Sequence, residues 1–450
     1  MKSNRLLYLP VETKAREFLG KTFLAARGAE RGWTVILGEG NQLREFMRDR
    51  PRGAYIEIGI PEKKAKRLEE IHASGHCIAN MCEEGLVYSD GGDYCDRKLG
   101  RSCIAWTDRL LVVGPRNAHH IRSHRPEFAD KLAVTGNPRF DILLSGPRCV
   151  YRRDANALRQ ELGRFLLVST NFTRANPYGG GQPGDVGNLI KRGMITSTAH
   201  EEFFHRFIDY QRRLMGGLQD VLQKLAASGL VDRIVIRPHP VENHESWREW
   251  ARPLNIDVRY EGSAIEWMFA AEAVLHPGCT TAIEGLVLDR PVFSYAPEPD
   301  SEFLNPADDI SEQVTSAEDF LGRLSEVRRQ DEAALRARFA SQREKLDYLI
   351  ANVEPPYAAD RILDELEKLD LPEARSKQAD GRRMGFMTEL RRRFRKWRRS
   401  DQERVARRRQ KFPGMAASEA EFAVGSWVEA GVLGKVPRID RLGERLLMFQ

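Results

Sequence analysis

Short apolar runs alternate with amphipathic stretches along most of the chain, in two successive series. This alternation limits the fold more than any other feature. In the first series Leu6–Pro10, Trp33–Leu37, Ala54–Ile60, Cys77–Ala79, Arg109–Gly114 and Leu132–Thr135 read as strands. Helical patterns fill Thr13–Arg31, Asn41–Arg48 and Glu62–Ala73, and one more lies between the last two strands. In the second series the strands are Phe165–Ser169, Asp232–Ile236, Ile256–Tyr260, Ala273–Leu275 and Pro291–Tyr295. Helices over His200–Ser228, Asn243–Trp250, Ser263–Ala270 and Thr280–Leu288 separate them, and helices from Ala317 to Lys368 close the series. Such repetition sets consecutive strands parallel in one sheet with helices on both faces. The expected class is α/β, with two doubly wound, Rossmann-like domains facing a cleft. The expected boundaries are 1–150, 151–370 and a basic, amphipathic helical tail over 371–450.

A chain of 450 residues exceeds one ordinary core, which agrees with two domains. A mean hydropathy of −0.50 and the lack of an 18-residue apolar run predict no spanning helix. The stretch Leu6–Pro10 is too short for a signal-peptide core, so the chain is expected in the cytoplasm. Cys77, Cys82, Cys95 and Cys103 crowd together with His76, but their spacings do not form the close pairs of a zinc site. Reduced thiols and no metal are expected.

The candidate chemistry lies after the strands. Arg237-Pro238-His239-Pro240 follows one strand of the second series directly. The prolines fix the direction of the turn, and a guanidinium beside an imidazole suits a phosphate. His276-Pro277-Gly278-Cys279-Thr280-Thr281 follows another strand, expected to neighbour the first. Here threonines open a helix whose N–H groups and hydroxyls, with Gly278 for close approach, form a second anion-binding element. Glu284, one turn in, either accepts from ribose hydroxyls or is a surface glutamate. Asn171, after the first strand of the series, joins the donor-binding set, and Tyr178–Gly184 reads as a flexible loop. In the first domain Glu83, Glu84 and Asp141 are the acid/base or nucleophile candidates. Asp141 follows the turn Gly136-Asn137-Pro138 and reads equally as a cap for residues 142–144. Arg16 and Glu17 begin the first helix, facing an acceptor or sugar, or simply the surface.

The pair Arg-Pro-His-Pro and His-Pro-x-x-Thr-Thr-x-x-Glu resembles bacterial glycosyltransferases of surface polysaccharides that use CMP-sugars, including sialyl- and 3-deoxy-manno-octulosonic acid (Kdo) transferases. CDP-glycerol glycerophosphotransferases carry a similar pair. Leu9-Pro10-Val11-Glu12, Cys82-Glu83-Glu84-Gly85, Thr135–Asp141, Ser169–Phe172 and Lys411-Phe412-Pro413-Gly414 resemble the surface carbohydrate biosynthesis proteins. Cys82 stands where that family has aspartate. The resemblance implies a two-domain B-type glycosyltransferase with a nucleotide-linked donor and no other cofactor. It places His239, Thr280 and Thr281 on the donor phosphate, with Arg237, His276 and Gly278 around them. It further implies Kdo, or a similar acid sugar, moved from a CMP-activated donor to a glycan or lipid-linked acceptor.

No D-x-D, G-x-G-x-x-G or Walker pattern occurs, which fits a metal-independent transferase. Residues 375–411 carry a net charge of +12 within a chain of net +6. Met384, Phe386, Leu390, Phe394 and Trp397 interleave with the arginines, so residues 382–411 are expected to lie on an anionic membrane surface at the cytoplasmic side. A helix packed on the protein is the plainer reading of this stretch, and nucleic acid is the lesser alternative. The alternatives for the whole chain are a CDP-glycerol-type transferase and an inactive, membrane-associated scaffold.

Overall fold

The computed structural model describes residues 5–371, 412 and 414–450, apart from 49, 87, 89, 179–185, 192–194, 196 and 300. The expected membrane segment 382–411 and most of the glycine-rich loop lie outside these residues. The chain forms two compact units, Met1–Val150 with Asp347–Gln450, and Tyr151–Leu346.

The first unit carries an eight-stranded sheet. Its strands are β1 (Arg5–Val11), β2 (Trp33–Glu39), β3 (Ala54–Glu57), β4 (Cys77–Met81), β5 (Arg109–Val112), β6 (Leu132–Val134), β13 (Ile439–Gly443) and β14 (Leu446–Phe449), in the order β13-β14-β2-β1-β3-β4-β5-β6. β1 to β6 are parallel. Their near-continuous apolar runs are what a strand buried on both faces requires. The chain leaves β1 for β2 on one side and returns to β3 on the other, so the direction of winding reverses between β1 and β3.

The C-terminal segment differs from the expected helical tail. Residues Ala417–Glu429 are helical, but β13 and β14 form a hairpin that extends the first sheet antiparallel to β2. Leu446–Phe449 is apolar and buried, and Gly38 leaves the space that Leu446 fills: a Cβ there would meet Leu446 Cδ2 at 2.2 Å. The helix Ala358–Glu367 also packs in this unit, not the second. Arg27 pairs with Asp360, and Arg31 with Asp364 and Glu367, against an apolar face formed by Ile362, Leu363 and Leu366.

The second unit carries β7 (Phe165–Ser169), β8 (Arg233–Arg237), β9 (Asp257–Val258), β10 (Ala273–His276), β11 (Val292–Tyr295) and β12 (Glu312–Val314). All are parallel, in the order β12-β11-β10-β7-β8-β9. Numbered within the unit this is 3-2-1-4-5-6, the Rossmann order, with its reversal between β7 and β10. The long helix Thr198–Ser228 buries Leu214, Leu218, Val221, Leu222 and Leu225 at three- and four-residue spacing against Leu166, Val168, Ile234 and Ile236. No helix among the described residues is long and apolar enough to cross a membrane. The six cysteines are not joined in disulfides, and no group of metal-ligating side chains forms among the described residues.

Candidate functional site

In open α/β sheets ligands bind beyond the carboxyl ends of the strands, at the reversal. In the second unit those ends carry Ser169-Thr170-Asn171 after β7, Pro238-His239 after β8 and Pro277-Gly278-Cys279-Thr280-Thr281 after β10. The two His-Pro turns are not on neighbouring strands, as the sequence spacing suggested. β7 lies between β8 and β10, so the turns flank the first strand about 10 Å apart across the sheet.

A carboxylate that the motifs did not single out joins two of these ends. Glu242 is fully buried. Its Oε1 accepts from Thr170 Oγ1 at 2.8 Å and from the His239 N–H at 3.0 Å, and its Oε2 accepts from Trp247 Nε1 at 2.9 Å. Asn176 Nδ2 donates to the Asn243 carbonyl, and Ser246 Oγ to Asn176 Oδ1, closing the same junction. Asn171 is tied by its carbonyl to Gln211 Nε2, and its side chain is half-buried.

His239 is half-buried, and burial pushes its pKa below the usual histidine value, so the ring is neutral at pH 7. The Val241 N–H donates to Nδ1 at 3.4 Å, which leaves the proton on Nε2. A neutral ring with an Nε2–H donor at the end of β8 can meet a phosphate oxygen.

The other histidine does a different job. His276 is fully buried, and burial pushes its pKa down to about 3. Its Nδ1 accepts from the Cys279 N–H at 3.1 Å, and its Nε2–H donates to Ser311 Oγ at 2.8 Å, which in turn donates to the Ala307 carbonyl. Asp308 lies 4.0 Å from Nδ1. The cluster has the residue types of a hydrolytic triad, but with Nδ1 an acceptor and the serine proton engaged, it cannot activate a nucleophile. His276 therefore fixes the 276–279 turn and does not reach a donor phosphate.

Arg237 is likewise committed within the unit. Its guanidinium donates to the carbonyls of Glu261 (2.7 Å), Tyr260 (3.3 Å) and Gly262 (3.3 Å), over the ring of Trp267. It clasps the turn after β9, where a free phosphate clamp was expected. Thr281 stands at the N-cap position of a six-residue helix, Ala282–Val287, without a side-chain cap bond; its hydroxyl meets Cys279 Sγ at 3.1 Å. Thr280 is exposed, Gly278 adopts φ +71°, and Glu284 is half-buried in the first turn of that helix.

In the first unit the acidic candidates separate. Asp141 is fully buried, accepting from Asn352 Nδ2 (2.7 Å) and the N–H groups of Ala358 (2.7 Å) and Ala359 (2.8 Å). It caps the helix Ala358–Glu367 from a distance, which corrects both readings made from sequence. Burial nevertheless pushes its pKa up to about 7, against those donors. Glu84 is exposed and paired with Lys98. Glu83, by contrast, is buried beside the end of β4.

Glu83 belongs to a charged cluster. Lys21, nearly inaccessible on the first helix, lies 2.8 Å from Glu17 Oε2 and 3.1 Å from Glu83 Oε1. Asn137 Nδ2 donates to Glu83 Oε2 at 2.9 Å, leaving Oε1 as an ion-pair partner without an aligned hydrogen bond. Glu17 also accepts from the Glu12 and Thr13 N–H groups and from Arg16 Nη2. Burial opposes its charge, but Lys21, the Glu12 N–H and Arg16 pull its pKa down to about 2. Arg16 and Glu17 are thus brought together with Glu83, while Glu84 and Asp141 are turned to other partners. Lys21 could have been found from sequence, since Glu17 and Lys21 share a face four residues apart. Glu242 had only its place two residues past Pro240 to mark it.

No protein-family model and no curated protein matches the chain. Among solved structures it is similar to the UDP-GlcNAc 2-epimerase from Neisseria meningitidis bound to UDP-GlcNAc, at 12% identity over 81% of this chain and 100% of that one, TM-score 0.48. The wall teichoic acid polymerase TagF is similar at 11% identity over 82% and 89%, TM-score 0.45. MnaA from S. aureus with UDP is similar at 11% identity over 81% and 96%, TM-score 0.43. Similarity at this distance assigns neither substrate nor reaction.

Proposed function

We propose that the chain is a glycosyltransferase-type enzyme of surface-glycan assembly, with the nucleotide-linked donor held at the carboxyl ends of β7, β8 and β10. The observation that carries this reading is His239. Its backbone N–H is held by the buried Glu242 at the end of β8, beside the Rossmann-order reversal, and its Nδ1 faces the Val241 N–H. An Nε2–H donor there stabilises negative charge that develops on a leaving nucleotide phosphate. The Gly278–Thr281 loop supplies the opposite wall, with Asn171 and Glu284 as further donor contacts. In the first unit Glu83 replaces Asp141 and Glu84 as the acid/base candidate, and Arg16 remains the candidate for the acceptor or the sugar carboxylate.

The reaction joins an acceptor hydroxyl to the anomeric carbon of the sugar and releases the nucleotide, with the hydroxyl proton taken by a carboxylate. The CMP-activated donor and its Kdo-like acid sugar rest on the motif resemblance. A cytoplasmic position at the membrane surface rests on the composition of residues 382–411. The test is a donor panel of CMP-Kdo, CMP-sialic acid and CDP-glycerol, with products resolved by mass. Binding or turnover of a CMP-sugar is expected. Exclusive use of CDP-glycerol would make the chain a glycerophosphate transferase, and no binding of any of the three contradicts the donor site.

A further inference from the structure

Behind the loop after β10 lies a polar lattice that no sequence motif marks. Asn305 Nδ2 donates to the Gly278 carbonyl at 3.0 Å, and the nearby Gly278 backbone N–H favours the charged form of Asp308. The same Asp308 accepts from the Asn305 N–H at 2.9 Å and from Ser294 Oγ at 2.6 Å, where Ser294 sits on β11. Asn305 Oδ1 accepts from the Ala307 N–H at 2.8 Å, completing a capping box with Asp308. His276 and Ser311 hold the other end of the loop. The Gly278 carbonyl is therefore satisfied by one short segment, residues 305–308, whose own ends Asp308 and Asn305 lock together. Gly278 has φ +71°, and a Cβ there would stand 3.0 Å from Asn305 Nδ2. This left-handed backbone and the close approach of Asn305 both favour glycine at this position.

We propose that Asn305 and Asp308 are positioning residues of the donor loop. They hold Gly278–Thr281 in the one conformation that presents it to the nucleotide phosphate, and touch no reacting atom themselves. This rests on the donor reading above. A loop whose orphan backbone groups are met from behind is preorganised, so its ordering cost is not charged against ligand binding.

Asn305→Ser separates the two jobs of Asn305. Serine caps a helix as well as asparagine does, but it is too short to reach the Gly278 carbonyl. Amide hydrogen exchange over residues 277–281 is measured on the full chain, together with CMP binding by titration. The loop amides of Asn305→Ser should exchange roughly tenfold faster, as loss of one hydrogen bond implies, with a similar loss of CMP affinity and little change elsewhere. Gly278→Ala should loosen the same amides by an independent route. Unchanged exchange in Asn305→Ser overturns the inference. Faster exchange with unchanged CMP affinity overturns the link to donor binding. If the wild-type chain does not bind CMP, the donor reading falls, and the exchange result still decides whether Asn305 holds the loop.

Discussion

Replacing Glu242 by glutamine tests whether one buried carboxylate organises the donor site. The side chain keeps its length and gives up one acceptor oxygen. If the amide nitrogen takes the place of Oε1, the His239 N–H loses its acceptor; if it takes the place of Oε2, Trp247 Nε1–H faces another donor. The second arrangement costs less, because it preserves both bonds at Oε1. It still removes one hydrogen bond to a charged group, about 1.5–3 kcal/mol, and weakens the other two by making them neutral. Relief from burying a charge offsets part of this. The net destabilisation should be about 2–4 kcal/mol, localised to the junction of β7, β8 and the helix His244–Ala251. Native-state hydrogen exchange over residues 233–251 reads it directly. A change below about 0.5 kcal/mol, comparable to an ordinary surface substitution, would refute the claim that Glu242 ties the strand ends together.

Two further outcomes follow from the first unit. Asp141 has a folded pKa of about 7 against an unfolded value near 3.9, so the folded state takes up the proton first as pH falls. Its contribution favours the folded state at low pH and is lost as pH rises from about 4 to 7, and Asp141→Asn should remove that slope from urea-unfolding free energies. Lys21→Met leaves the buried Glu83 without its cation and Glu17 with Arg16 alone, and should cost about 3–5 kcal/mol in thermal or urea unfolding. The double variant Lys21→Met with Glu83→Gln should recover part of that loss, and no recovery would mean the three groups do not act as one cluster.

The architecture was legible in the sequence because strands buried on both faces must be nearly all apolar, and Leu166–Val168 or Val235–Ile236 cannot be read otherwise. Strand order was not legible. Spacing along the chain placed the two His-Pro turns together, but the return of the chain past β7 put a strand between them. The C-terminal hairpin was missed because the dense positive charge of residues 375–411 dominates its surroundings, while Leu446–Phe449 is only four residues long. At the site, residue type predicted chemistry and burial reassigned it. Arg237 and His276 have the groups a phosphate needs, yet both spend them on backbone and side-chain partners inside the unit. Glu83 and Glu84 are adjacent and chemically alike, and only the position of Lys21 and Asn137 distinguishes them.

The central claim is that His239 donates to a nucleotide phosphate at the end of β8. Titration of wild-type protein and His239→Ala with CMP, with an unchanged fold verified by circular dichroism, tests it most directly. The account predicts saturable CMP binding by the wild type and a loss of about tenfold or more in the variant, as expected for one hydrogen bond to a charged group. Equal affinity in the two proteins would contradict it.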